Sequence, residues 1–370
     1  MKIRNKMGKK ILSVILTVLM VISIIPLSTS AVDSIKKGLA SDREINFAVM
    51  SDMHYYPASL AGNYNEAFMK SVSTSIAREP YQSVGLVDSA LAGIAEHAKE
   101  NGMKYLVLSG DLTSNGEYEA HRQLAARLEK FEKDTGIQVI AINGNHDINK
   151  AAATTYESGE AAPARRTTPE EFLELYKNLG YDLAYHRYVP SNGKANMLSY
   201  SVRADGYRFI AMDTGKYSSE VTKNGTDLGE TSGCFTDEAL QWVLDEIADA
   251  KANGETVIGV SHHNFVPHYD AEYTIIRGFV IDGWEEITDK LTDAGMHFSF
   301  TGHIHDSDIA QTVTDDGETL TEICCDSLTA FPNYFREVSA TTDVNGKTTM
   351  NVESQEVDCV LPVTVNGETY

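Results

Sequence analysis

The sequence predicts an α/β fold, and three observations support that prediction. From residue 45 onward, short apolar runs alternate with longer amphipathic stretches, which is the pattern of β-α-β units. Of the 370 residues, 42% are hydrophobic and 23% are charged, a globular composition that excludes disorder and fibrous structure. Polar residues follow most of the apolar runs directly, as in open sheets that bind ligands at the carboxyl ends of their strands.

The alternating part of the chain contains six predicted strands and five predicted helices. The strands cover 45–50, 104–109, 138–142, 207–212, 256–261 and 297–301. The helices cover 83–100, 117–133, 169–179, 236–252 and 282–294. Leu124, Leu128 and Phe131 illustrate the helical spacing of the apolar residues. Two polar, Gly-containing segments are predicted to be long loops, 151–168 and 216–233. Further strands are predicted after residue 301, at 309–314, 320–324, 336–341 and 348–352.

The first 31 residues are predicted to be a signal peptide. Five basic residues and no acid precede the apolar run 11–25, and small residues lead to Ala31. This run is shorter than the roughly 20 residues needed to cross a bilayer, which favours cleavage over an uncleaved anchor. No cysteine lies directly after the run, so a lipoprotein anchor is not expected. We therefore expect a secreted, extracellular protein without a stable membrane anchor. After the signal peptide we predict a linker (32–44), one catalytic domain (45–345) and a β-rich C-terminal tail (346–370).

The charge of the chain restricts its partners. The formal net charge is -22, and removing the five basic residues of the signal peptide gives -22 - 5 = -27. The electric field of so negatively charged a chain repels nucleic acids and anionic membranes, so no nucleic-acid polymer is expected as a partner. An anionic substrate would need a local positive centre, which a metal could supply.

All four cysteines follow the predicted signal peptide, where export would permit disulfides. They are Cys234, Cys324, Cys325 and Cys359. Three complete pairings are possible and the sequence does not choose among them. The adjacent Cys324 and Cys325 could equally be core residues of a strand.

Five short polar motifs directly follow predicted strands. They are Asp52-x-His54, Gly110-Asp111, Gly144-Asn145-His146-Asp147, His262-His263 and Gly302-His303-x-His305. A single motif of this kind is usually structural, but five in this order indicate side chains that converge at one edge of the sheet. Carboxylate, imidazole and amide oxygen donors suit Mn, Fe, Zn or Ni, and the lack of Cys argues against a thiolate zinc site.

In order and spacing, these motifs resemble those of the calcineurin-like metallophosphoesterase family over residues 45–305. The resemblance implies a sandwich of two mixed β-sheets flanked by α-helices, and a two-metal site. It also implies the ligands: Asp52, His54 and His305 for one ion, Asn145, His262 and His303 for the other, and Asp111 bridging both. A bridging carboxylate can bind two cations through separate oxygens. Two ions about 3.5–4 Å apart can share a hydroxide that attacks phosphorus in line.

The function implied by the resemblance is hydrolysis of small-molecule phosphomono- or phosphodiesters, and the sequence does not separate these two classes. His146 is implied to stabilise or protonate the leaving oxygen, with a structural role as the alternative. Asp147 is expected to orient the backbone or His146. Ser114 occupies the position where purple acid phosphatases have a tyrosine ligand, which argues against that subgroup. Only 370 - 305 = 65 residues follow His305, too few for the substrate domain of bifunctional 5′-nucleotidases.

Further histidines and arginines in the chain also have expected roles. His262, not His263, is the expected ligand because it comes directly at the strand end. His268 is expected to be a solvated loop residue, with substrate contact as the alternative. Arg165 and Arg166 are expected to be an exposed basic pair, with a phosphate grip as the alternative. A function of another class, a catalytically weak secreted surface-binding protein on this scaffold, predicts lost ligands, and none of the seven is lost. The oligomeric state is left open.

Overall fold

The computed structural model describes residues 42–73, 78–270, 272–357, 364–365 and 368–369. The predicted signal peptide and most of the predicted linker lie outside these ranges. No helix in the described part of the chain has the length and apolarity needed to cross a membrane.

The first sheet has five strands in the order β14-β13-β1-β2-β3. Its parallel part consists of β1 (Arg43–Met50), β2 (Tyr105–Ser109) and β3 (Gln138–Ile142). β13 (Tyr334–Thr342) pairs antiparallel with β1, and β14 (Thr348–Glu356) pairs with β13 along its whole length. All five residues of β2 are buried, as expected for a strand covered on both faces.

The second sheet has seven strands in the order β11-β12-β10-β9-β8-β7-β6. Neighbouring strands are parallel from β8 through β9 and β10 to β12, and antiparallel at both ends of the sheet. The strands are β6 (Ala184–Arg187), β7 (Tyr200–Ala204), β8 (Tyr207–Met212), β9 (Thr256–Ser261), β10 (Phe298–Thr301), β11 (Asp308–Val313) and β12 (Thr319–Cys324).

The two sheets pack face to face. The ring of Phe47 in the first sheet meets Phe209 and Phe300 of the second edge-on, with centroids 5.2 and 5.4 Å apart. The Tyr200 hydroxyl donates to the Ala141 carbonyl across the interface at 2.9 Å, which satisfies a polar group in an apolar layer. The sandwich of two mixed sheets implied by the resemblance is therefore confirmed.

Helices cover the outer faces of both sheets. Those beside the first sheet contribute Leu86 and Leu128 to its core, and those beside the second contribute Val243 and Leu291. The helices are α1 (Glu66–Val72), α2 (Ser83–Asn101), α3 (Tyr118–Thr135), α4 (Pro169–Leu175), α5 (Asp237–Ala252), α6 (Glu272–Ile275) and α7 (Trp284–Ala294). The predicted α/β class is confirmed.

Most predicted elements are present with small shifts at their ends. The helix predicted for 169–179 ends at Leu175, and a wide turn, Lys177–Tyr181, follows because Gly180 adopts a φ of 110°. The predicted loop 151–168 contains a short hairpin of β4 (Thr154–Thr155) and β5 (Ala162–Pro163). The predictions omitted β6 and β7, which are short and carry polar residues on their exposed positions.

The cysteines in the described residues are free thiols. Cys234, Cys324 and Cys325 are buried and unpaired, and Cys324 ends β12. Cys359 lies outside the described residues. The core interpretation of Cys324 and Cys325 is therefore the one that the structure bears out.

Candidate metal centre

The five polar motifs meet where β1, β2 and β3 of the first sheet and β9 and β10 of the second end. Their turns hold several side chains in unusual backbone conformations. Five of the seven predicted metal ligands have a positive φ: Asp52 (49°), His54 (40°), Asp111 (47°), His303 (74°) and His305 (57°). Such conformations cost on the order of 1 kcal/mol or more each and cluster at functional sites. This strain is therefore concentrated where the sequence predicts a metal site.

One cluster contains Asp52, His54 and His305. Asp52 Oδ1 lies 3.1 Å from His305 Nε2 and 3.7 Å from His54 Nε2, and the two Nε2 atoms are 3.1 Å apart. The other Asp52 oxygen accepts from the Ser51 hydroxyl and the His303 backbone N–H. Oδ1 is buried and accepts no hydrogen bond from any described residue. An orphaned carboxylate oxygen beside two imidazole nitrogens fits a bound cation.

The second cluster contains Asn145, His262 and His303. His262 Nε2 lies 3.1 Å from Asn145 Oδ1, while Nδ1 donates to the Ser109 carbonyl at 3.0 Å. His303 Nε2 donates to the Gly278 carbonyl at 3.1 Å, which leaves Nδ1 with the lone pair. In a metal-binding histidine, one ring nitrogen usually donates its hydrogen to a carbonyl oxygen, and the other ring nitrogen faces the metal.

Asp111 lies between the two clusters. Its Oδ2 is 3.3 Å from His262 Nε2 and 3.9 Å from His54 Nε2, whereas Oδ1 accepts from the His146 backbone N–H at 2.7 Å. Oδ1 thus accepts a backbone hydrogen bond, while Oδ2 lies within 4 Å of a nitrogen from each cluster, and the binding of each ion through a separate oxygen stays a prediction. Burial raises the pKa of Asp111, but the neighbouring histidines hold it well below its usual value.

The electrostatics of the centre favour positive charge. Burial disfavours the charged ring of His262, yet the carboxylates of Asp111 and Asp52 raise its pKa to about 9. Burial holds the pKa of His54 and His303 well below the usual value, so both rings are neutral and keep a lone pair. Three groups of possible ligands have their donor atoms within 4.8 Å of one another: Asp52, His54 and His305; His54, Asp111 and His146; Asp111, His262 and His303. Asp111 belongs to two of these groups and His54 to two, so the three groups adjoin one another, and the group between the others also includes His146, which is not one of the predicted ligands.

Two glycines allow the motifs that carry the two clusters to pack this closely. A Cβ atom on Gly144 would lie 2.2 Å from Asp111 Oδ1, and one on Gly302 would lie 1.9 Å from the Ser51 hydroxyl. Both positions are therefore restricted to glycine, because atoms of Asp111 at the first and of Ser51 and Asp52 at the second leave no room for a Cβ.

His146 and Asp147 follow Asn145 but differ in position. The ring of His146 is partly exposed, packs edge-on against His54 and is fixed by a 3.0 Å hydrogen bond from Nδ1 to Asn115 Oδ1. Burial lowers the pKa of His146 to about 4, so its ring is neutral. Asp147 is buried and accepts from the backbone N–H groups of Leu112, Thr113 and Gly144 at 2.7–3.0 Å. It thus positions the turns after β2 and β3 and does not face a substrate.

The sequence analysis missed two cationic residues near the centre. Arg78 Nη1 lies 3.1 Å from His54 Nδ1 and 3.4 Å from the Ser114 carbonyl, and its charge lowers the pKa of His146. Lys150, three residues after Asp147, also acts on His146 through its charge, and burial lowers its own pKa. Arg78 precedes α2 and adjoins no strand end, so no sequence signal marks it.

His263 and the two arginines of the long loop lie outside the cluster. His263 uses both ring nitrogens in hydrogen bonds, with the Thr214 hydroxyl at 2.7 Å and the Thr231 carbonyl at 2.9 Å. Arg165 is exposed, pairs with Glu171 and stacks on Tyr118, and Arg166 is exposed as well.

His268 corrects a prediction, because its side chain is not solvated but buried between two acids. Nδ1 contacts Asp308 Oδ2 at 2.9 Å and Nε2 contacts Glu322 Oε1 at 3.0 Å. Glu322 also accepts from the backbone N–H of Phe265. These bonds tie the loop after β9 to β11 and β12, and no periodicity in the sequence indicates them.

His268→Gln is expected to lower the free energy of unfolding by about 3 kcal/mol, because it leaves Glu322 buried without its cation. Burial lowers the pKa of His268, but Glu322 and Asp308 raise it above the usual value overall. The stabilisation is therefore complete below about pH 6.5 and is lost as the pH rises through the raised pKa. Thermal melting of both proteins from mildly acidic to alkaline pH is the measurement. A difference in melting temperature that grows with rising pH would contradict this account.

Comparison with known proteins adds independent information. A family model described as calcineurin-like phosphoesterase matches residues 45–307. Among solved structures, a dimetal phosphatase from Danio rerio has a TM-score of 0.52 at 13% identity, covering 83% of this chain and 98% of that chain. A purple acid phosphatase from yellow lupin (Lupinus luteus) seeds has a TM-score of 0.44 at 11% identity, with 85% and 54% covered. No curated protein sequence matches the chain significantly. At such identities the similarity to the Danio rerio structure concerns the fold.

Proposed function

Because the chain belongs to the calcineurin-like phosphoesterase family and is a metal-dependent phosphoric ester hydrolase, we propose that seven clustered side chains bind two divalent or transition-metal ions. The observation that carries this proposal is the position of Asp111 Oδ2, within 4 Å of nitrogens from both clusters. The seven proposed ligands are Asp52, His54, Asp111, Asn145, His262, His303 and His305. The donor set suits Mn, Fe, Zn or Ni and leaves the identity of the metal open.

The residues around the ions have separate roles in the proposed reaction. Two bound ions would supply Lewis acidity toward the phosphoryl oxygens and lower the pKa of a bound water. The Nε2 atom of His146, directed to the site by the bond between Nδ1 and Asn115, is proposed to stabilise or protonate the leaving oxygen. Because the neutral ring carries its proton on Nδ1, Nε2 would first take up a proton, which the anionic phosphoryl group of a bound substrate favours. Asp147 holds the turns that carry Asp111 and His146. Together these groups support hydrolysis of small-molecule phosphate esters.

Exhaustive chelation is expected to reduce hydrolysis of nitrophenyl phosphate esters by at least about 100-fold, because the ions would supply several kcal/mol of transition-state stabilisation. Adding back Mn, Fe, Zn or Ni should restore the activity, with about two ions per chain in the active protein. Elemental analysis together with activity assays is the measurement. Full activity after chelation, or fewer than one ion per active chain, would contradict the proposal.

We also propose that the protein is exported and that residues 1–31 are removed. The short apolar run and the small residues before Ala31 support this. N-terminal sequencing of protein recovered from the medium is expected to begin near Val32. Recovery from membranes alone, with residues 1–31 intact, would argue for an uncleaved anchor.

The second candidate function, a catalytically weak surface-binding protein, would be favoured by incomplete ligand clusters. In the described residues all seven proposed ligands converge, and Asp52 and Asp111 are almost completely buried. A panel of nitrophenyl mono- and diesters separates the two candidates. Turnover that depends on metal supports the hydrolase, while no turnover of any ester by the metal-loaded protein supports the binding function.

A further inference from the structure

Glu117 is a buried carboxylate that the proposed reaction does not use. It directly precedes the first residue of α3, its side chain is fully buried, and no cation of the described ranges forms an ion pair with it. Its two oxygens instead accept from two backbone N–H groups, Oε2 from Asn115 at 2.9 Å and Oε1 from Thr154 at 3.2 Å. Burial of an unpaired carboxylate is unfavourable, and these two bonds offset part of its cost.

The first of these bonds fixes the loop that holds the His146 ring. Asn115 Oδ1 accepts from His146 Nδ1 at 3.0 Å, while the backbone N–H of the same asparagine donates to Glu117. The other end of the loop is fixed by Thr113, whose hydroxyl donates to Asp147 Oδ1 at 3.1 Å. The position of Asn115 therefore depends on a buried carboxylate at each end of its loop.

The second bond joins this loop to the hairpin of β4 and β5. Thr154 lies in β4, so Glu117 Oε1 connects the first arm of the loop 151–168 to the turn that carries Asn115. The second arm contacts the same turn through the backbone, because the Thr167 N–H donates to the Gly116 carbonyl at 2.8 Å. Both arms of this loop thus support the segment that fixes the His146 ring.

From these contacts we infer that Glu117 is a positioning residue for the proposed reaction: it holds the backbone of Asn115, and Asn115 holds the His146 ring with Nε2 toward the metal centre. Its carboxylate bonds to none of the seven proposed ligands in the described part of the chain, so its removal should leave both ions bound. The inference rests on the proposed function, since Glu117 acts through the role of His146 toward the leaving oxygen.

The ionised form of Glu117 is the one that fits this role. Burial raises the pKa of Glu117 to about 7, although the N–H groups of Asn115 and Thr154 and the charge of Arg78 act in the opposite direction. A protonated carboxyl would turn one of the two oxygens into a donor that faces an N–H group. The experiment is therefore done at about pH 8.5, where the carboxyl is ionised and accepts both bonds.

Glu117→Ala removes both acceptors and tests the inference on the metal-loaded full chain. The substrates are an alkyl phosphate ester, whose leaving oxygen needs a proton, and a nitrophenyl phosphate ester, whose leaving oxygen needs little help. The variant is expected to slow the alkyl ester roughly tenfold in kcat and the nitrophenyl ester less than about twofold, with about two ions still bound by elemental analysis. Glu117→Gln keeps one acceptor oxygen and should restore part of the lost rate.

A double-variant cycle separates this role from a general structural one. If Glu117 acts through Asn115 and the ring, Glu117→Ala should not slow the alkyl ester further in a His146→Ala protein. A loss of stability would instead slow both esters by one factor, with or without His146. Glu119→Ala is the matched control, because it removes a partly exposed carboxylate that pairs with Arg122, and it should leave both rates unchanged.

The outcomes distinguish the inference from the function on which it rests. Unchanged rates, equal slowing of the two esters, or an effect of Glu117→Ala that persists in the His146→Ala protein would overturn the inference while leaving the hydrolase intact. If Glu117→Ala does not fold, the same criteria apply to Glu117→Gln. Absence of metal-dependent turnover of both esters by the wild-type protein would instead overturn the proposed function.

Discussion

Asp111→Asn is expected to lower kcat/KM for phosphate esters by about 10³–10⁴-fold, because several kcal/mol of transition-state stabilisation depends on both ions. Oδ2 of Asp111 lies within 4 Å of a nitrogen from each cluster, and Oδ1 accepts from the His146 backbone N–H. An asparagine oxygen can keep the backbone bond or contact the ions, but it has no charge to offset their repulsion. The metal content should therefore fall from about two ions per chain to one or fewer, as measured by elemental analysis.

A matched control is available on the surface. Asp205 is exposed, pairs with Lys104 and has a φ of 51°, a conformation that asparagine tolerates. Asp205→Asn removes the same charge and should retain activity and metal content. An Asp111→Asn protein that binds two ions and turns over at more than a tenth of the wild-type rate would rule out the bridging role.

The sequence predicts the parts of this molecule that depend on local patterns. The strand predicted at 138–142 has the same first and last residues as β3. Its apolar run lies between polar turns, and only one placement of such a run buries its apolar residues in the sandwich. The motifs after β1, β2 and β10 carry their side chains at the ends of strands, so their convergence follows from the order of the strands. That is why the seven candidate ligands could be selected from the chain.

What the sequence could not predict are contacts between distant residues. Arg78 contacts His54, which is 24 residues away in the sequence, and His268 contacts Glu322, which is 54 residues away. No periodic pattern in the sequence indicates either pair. The orientation of Asp111 depends on a backbone N–H 35 positions away. These contacts are set by tertiary packing, which overrides local propensity.

His146→Ala should affect substrates according to the pKa of their leaving group. Nitrophenolate leaves as a stable anion and needs little protonation, whereas an alkoxide needs much, so loss of a general acid should slow an alkyl ester about 100-fold and a nitrophenyl ester far less. The ring neither bridges nor completes the clusters around Asp52 and His262, so both ions should remain bound. His262→Ala, by contrast, removes a proposed ligand and should slow both esters and reduce the metal content together.

Asn115→Ala is a second variant for this test, and its expected effect on the rates is smaller. The His146 ring is fixed by Asn115 Oδ1 at 3.0 Å, and Asn115 belongs to neither proposed ligand cluster. Asn115→Ala should therefore misplace the ring and reproduce part of the leaving-group dependence with both ions retained, while its effect on nitrophenyl esters stays small. Elemental analysis and kinetics on the two esters measure this. If His146→Ala keeps both ions and slows the two esters by the same factor, proton transfer is excluded, and His146 acts on the phosphoryl group through its dipole.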